Sequence, residues 1–71
     1  MKTKITVEGM SCGHCVNHVK GALEELENVR NVDVNLEKKT AIFDSNMEIG
    51  EDKIKFAIED VGYEVVKIEV I

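Results

Sequence analysis

Residues 3–27 read TKITVEGMSCGHCVNHVKGALEELE, and the hydrophobic period changes partway along them. Thr3, Ile5 and Val7 alternate with Lys4, Thr6 and Glu8, the period of two that marks a half-buried strand. Gly9 ends the alternation. From about residue 14 to 27 the apolar side chains fall at Val16, Val19, Leu23 and Leu26, with Ala22 alongside, which makes one stripe on a helix. Asn17, Lys20, Glu24, Glu25 and Glu27 take the wet side. Between strand and helix lies the loop Gly9-Met10-Ser11-Cys12-Gly13-His14-Cys15, with Ser11 placed to cap the helix. Gly21 weakens that helix by up to about 1 kcal/mol relative to alanine, and a close approach of helix to sheet would account for it. Asn28 suits the left-handed residue that commonly stops a helix.

The same order then runs in reverse. Residues 31–37 alternate, with Val32, Val34 and Leu36 expected inward. Glu37-Lys38-Lys39 is a polar break of hairpin length. Residues 40–45 form the next strand, where Ala41 and Phe43 compete with Ile42 for the inner face, and Phe43 is assigned inward. A second helix is expected over 51–61, with Glu51 and Asp52 complementing its dipole and Ile54, Ala57, Ile58 and Val61 as its buried stripe. Phe56 falls off that stripe. Gly62 stops the helix, and residues 64–70 close the chain as a strand with Val66, Ile68 and Val70 on one face. Strand, helix, strand, strand, helix, strand is the split βαβ plan. The expected fold is therefore α+β, a ferredoxin-like βαββαβ sandwich: one four-stranded antiparallel sheet with two helices on one face, forming a single domain over 1–71.

Composition narrows the functions such a chain can have. A chain of 71 residues buries only about 60% of its unfolded surface, too little for two lobes around a deep substrate cleft. It has no proline or tryptophan, and its aromatics are Phe43, Phe56 and Tyr63, so the core must be aliphatic. Fourteen acids against nine bases give a net charge of −5, and no basic run exceeds Lys38-Lys39, which argues against nucleic acid. A positively charged partner surface is the better electrostatic match, although charge that only maintains solubility accounts for the same balance and is preferred on charge alone. No apolar run approaches the roughly 20 residues that span a bilayer, so direct membrane insertion is not expected. The N-terminal residues lack the apolar stretch of a signal peptide, which points to the cytosol. There, a pair of cysteines reads as a metal or redox site before it reads as a structural disulfide.

Cys12 and Cys15 carry the chemistry. Two intervening residues let both sulfurs converge on one point when the second cysteine opens a helix, and the helix N-terminus stabilises thiolates. Structural zinc takes four protein ligands, and one pair supplies half of them. Two thiolates suffice for a near-linear site around soft Cu(I), and such an open site admits attack by an incoming thiolate. An incidental pair of reduced cysteines gives the same bare match. Cys12-Gly13-His14-Cys15 also matches the active-site tetrapeptide of protein disulfide isomerases. Those domains place a tryptophan before the motif and a cis-proline facing it; here Ser11 precedes it, neither residue type occurs, and the chain is short for that plan. No Ser-His-Asp set, carboxylate pair or phosphate-cradling loop suggests an enzyme.

Gly9-Met10-x-Cys12-x-x-Cys15 after a first strand and before a helix resembles the heavy-metal-associated domain family. Val32-Asp33-Val34-Asn35-Leu36, Ala57-Ile58-Glu59-Asp60 and Gly62-Tyr63 resemble it too, so the likeness covers essentially the whole chain, and within the family it is nearest to the CopZ-like bacterial copper chaperones. The resemblance implies a cytosolic Cu(I) carrier with Cys12 and Cys15 as ligands, delivering to a copper-transporting P-type ATPase through its metal-binding domains. It implies that Met10 turns into the core, that Tyr63 lies near the metal loop, and that His14 can join copper clusters in a copper-bridged homodimer. From the residues alone, His14 reads as a solvated loop histidine in the monomer, and Tyr63 equally as a cover over the core. His18 is expected at the surface. A metal-binding domain of a P-type ATPase, or a carrier of another soft metal, has the same motif. Asn28 stands where many members have glycine.

Overall fold

The alternating and helical stretches fold, in a computed structural model of the chain, as β1 (Lys2–Glu8), α1 (Gly13–Glu24), β2 (Val29–Asn35), β3 (Thr40–Ser45), α2 (Glu51–Asp60) and β4 (Glu64–Val70). Residues 1–10 and 13–71 are described; the expected cap, Ser11, lies outside them. The strands form one antiparallel sheet in the order β2-β3-β1-β4, with both helices on one face. This is the ferredoxin-like sandwich that the pattern predicts.

Register explains the core. Thr3 pairs with Phe43 and Ile5 with Ala41, so the inward residues of the two central strands stand side by side. Ile5, Val7, Ala41 and Phe43 are all fully buried. Ala41 and Phe43 share the inner face and leave Ile42 half-buried on the other. Val19 and Leu23 of α1 and Ile54 and Ile58 of α2 close over them in a single cluster. Removing each such side chain from water contributes about 1.5–3 kcal/mol. Buried Ser45 is satisfied, its hydroxyl donating to the Met47 carbonyl at 2.6 Å.

Several expectations need correction. β2 begins at Val29 rather than residue 31, because the register slips between Arg30 and Asp33 and Asn31 adopts φ 54°. Val29 thereby turns onto the core. Leu36 is exposed, because β2 ends at Asn35 and the chain turns at once, with the Lys39 N–H donating to the Leu36 carbonyl at 3.2 Å. In β4 a bulge sets Val7 opposite Val65 but Thr6 opposite Lys67, which skips Val66. Val65 and Ile68 therefore pack inward while Val66 is 57% exposed, and Val70, near the strand's end, is equally open. α2 stops at Asp60, leaving Val61 at its C-cap and exposed.

Asn28 has φ 68°, the left-handed conformation assigned to it, although α1 ends earlier than expected, at Glu24. Gly21 does not mark a close approach: a Cβ built there meets no heavy atom within 4 Å. It is an exposed helical glycine with a helical backbone, so Gly21→Ala is expected to raise stability by about 0.5–1 kcal/mol. Urea unfolding measures this directly; a loss of stability would mean the side α1 shows to solvent is misassigned.

Candidate metal site

The chain that leaves β1 is held at Gly9 and Met10, just before the cysteine motif. Gly9 has φ 101°, a conformation that side chains other than glycine's rarely adopt. Its missing side chain is filled by a neighbour, since a Cβ there would lie 3.3 Å from Cδ1 of Tyr63. Met10 turns inward and is buried with Ile5, Val7 and Val19 in the main cluster, as its resemblance implies. The chain is thus pinned immediately before the cysteine motif.

Cys15 sits near the N-terminal end of α1, half-buried and packed against the core. The helix end brings backbone N–H groups without intrahelical acceptors, which favour a negatively charged group beside them. Cys12, the other ligand expected from sequence, lies outside the described residues. Among the described residues no group of three or more His, Cys, Asp and Glu side chains is arranged to hold a metal.

Tyr63 reaches Gly9 from the start of β4, the strand beside β1, where Glu64 pairs with Glu8. The Tyr63 N–H donates to the Ile58 carbonyl at 3.2 Å and the Gly62 N–H to the Glu59 carbonyl at 3.0 Å, which wraps the chain tightly around the end of α2. Gly62, with φ 95°, allows that turn. The ring then lies against Gly9 while its hydroxyl meets Nδ1 of His18 at 3.3 Å. His18 is exposed as expected, but its hydrogen bond was not foreseeable: the two residues lie 45 positions apart in the chain. His14 is exposed one turn before it on the same helix.

A second feature lies between the helices. Phe56 is 71% exposed and lines a shallow groove with Leu26 and Val61, whose charged lining is Glu25, Asp52 and Asp60 with one base, Lys53. No described helix is long and apolar enough to cross a membrane.

Residues 4–64 match the heavy-metal-associated domain family. A copper chaperone CopZ of Staphylococcus aureus is 43% identical over 63 residues, covering 87% of this chain and 93% of the relative. A solved CopZ metallochaperone superposes with a TM-score of 0.85 at 40% identity, covering 93% of this chain and 100% of that one. A solved copper-binding domain of a P-type ATPase superposes with a TM-score of 0.82 at 31% identity, covering 99% of this chain and 100% of that one.

The contact between Gly9 and Tyr63 has a direct test. Gly9→Ala is expected to cost about 1–3 kcal/mol of unfolding free energy through its left-handed backbone and to shift the Tyr63 ring resonances. Unmoved ring resonances would contradict the contact.

Proposed function

The chain belongs to the heavy-metal-associated domain family, and from that premise we propose that it is a cytosolic copper chaperone. It takes Cu(I) as cargo between the thiolates of Cys12 and Cys15 and passes it to a copper-transporting P-type ATPase. It is a binding module and not an enzyme, a single heavy-metal-associated domain over residues 1–71. The observation that carries this reading is the place of Cys15: in the first turn of α1, half-buried, a few residues after buried Met10, within a chain similar over most of its length to a CopZ copper chaperone.

The chemistry follows from the donors. Thiolate sulfur is soft and suits monovalent copper above harder cations. A site with two sulfurs leaves the metal open to a third. An acceptor thiolate joins first, giving a three-sulfur intermediate; one donor thiolate then leaves, and the second exchange completes transfer. No electron moves, and the sulfurs released stay thiolates or take a proton from water. Met10 plays no part in binding, because its thioether is committed to the core. The mainly acidic groove beside Phe56 supplies a surface for a basic partner.

Likeness to a copper-binding domain of a P-type ATPase over nearly the whole chain supports a second reading, in which this is such a domain. The native mass of the polypeptide in its source cell separates the two.

The main test is an anaerobic Cu(I) titration of the reduced chain against a competing chelator. Tight binding is expected, and its loss in the Cys12→Ser plus Cys15→Ser variant with the far-ultraviolet spectrum unchanged. Full affinity in that variant would overturn the site. His14→Ala is expected to leave monomer affinity nearly unchanged but to alter the copper-bridged homodimer in analytical ultracentrifugation; an unaltered dimer removes His14 from it. Glu25→Lys is expected to slow copper transfer to a metal-binding domain of the ATPase, as read by stopped-flow, without changing Cu(I) affinity. An unchanged rate would exclude the groove as the docking surface.

A further inference from the structure

We infer that His14 and His18 form a second metal site, made of nitrogen rather than sulfur, that takes a borderline divalent cation such as Zn²⁺. Both residues lie in α1, four positions apart, and both are exposed. On an α-helix that spacing sets one side chain above the other, with Cβ atoms about 5–6 Å apart. The same spacing lets two imidazoles of one helix grip a single ion in helical zinc sites. Gly21, further along this side of α1, meets nothing within 4 Å of its Cβ position, so no neighbouring segment screens the helix there.

One of the two histidines already has a hydrogen-bond partner. Nδ1 of His18 lies 3.3 Å from the Tyr63 hydroxyl. When that nitrogen carries the proton and donates to the phenol oxygen, the lone pair of Nε2 is left for a metal. A ligating histidine characteristically has its other ring nitrogen held in this way, which fixes the tautomer and ring plane. Tyr63 is itself held by the turn after α2 and by its packing on Gly9. His18 is thus supported from a different element than the one that carries it.

Imidazole nitrogen suits Zn²⁺, Ni²⁺ and Cu²⁺, whereas Mg²⁺ and Ca²⁺ prefer oxygen. Two nitrogens leave the rest of the coordination sphere to water, which makes the site exchangeable. The net charge of −5 favours approach of a cation. The inference does not rest on the copper reading, since it uses neither cysteine.

The test is a calorimetric Zn²⁺ titration of the full chain carrying Cys12→Ser and Cys15→Ser, prepared without a polyhistidine tag. One Zn²⁺ per chain is expected, with no response to Mg²⁺. Adding either His14→Ala or His18→Ala is expected to weaken binding at least about tenfold, and Tyr63→Phe to weaken it by a smaller factor. The ¹⁵N resonances of both imidazoles are expected to move together during the titration. Unchanged affinity in either histidine variant, or a shift confined to one imidazole, overturns the inference. The Cu(I) experiment on the native cysteines succeeds or fails separately.

Discussion

The burial of Val19 and Leu23 against Ile5 and Phe43 is the interaction on which the rest of the molecule depends. It holds α1 down on the sheet, nearest to β2, and Cys15 lies one turn before Val19 on that helix. The sulfur therefore rides at the rim of the core instead of swinging with a free loop. Met10 enters the same cluster from the loop side. On α2, Ile58 does double service: its side chain is in the cluster and its carbonyl receives the Tyr63 N–H. One apolar contact set thus positions the cysteine, the chain leading to the motif, and the tyrosine that leans on Gly9.

This arrangement divides rigid from open parts usefully. Met10, which holds the approach to the motif, points inward, and what stays outward is chemistry: Cys15 half in view, His14 and His18 exposed. A carrier of an exchangeable ion needs a site that keeps its shape while a second molecule approaches. Preorganisation of that kind lowers the ordering cost on encounter. The two proposed sites also differ in softness, sulfur for Cu(I) and imidazole for a borderline divalent ion, so neighbouring positions on one helix need not compete for the same metal.

The sequence disclosed the strands and helices wherever one period ran uninterrupted. Thr3, Ile5 and Val7 alternate without a break and are buried as read. Where an extra residue enters a strand, strict alternation misleads. Val65 and Val66 are both apolar, so the pattern offers two phases, and the choice is made by pairing with β1, at the bulge opposite Thr6 and Val7. Asn31 conceals a comparable slip in β2, where its left-handed backbone gives no hydrophobic signal. The candidate site was legible in the sequence to the extent that its motif is local, although Cys12 lies outside the described residues. The spacing of Cys12 and Cys15 and the loop glycine are written in adjacent residues, and Met10 turned inward as its family likeness implied. The hydrogen bond from His18 to Tyr63 joins residues 45 positions apart, and only the closure of α2 onto β4 brings them together.

The central claim is that in the monomer this chain holds Cu(I) by sulfur alone. Copper K-edge X-ray absorption on the reduced, monomeric protein loaded with one equivalent of Cu(I) reads the donor atoms directly. The account predicts a first shell of sulfur at low coordination number, with no histidine scattering. A shell dominated by nitrogen or oxygen would contradict it.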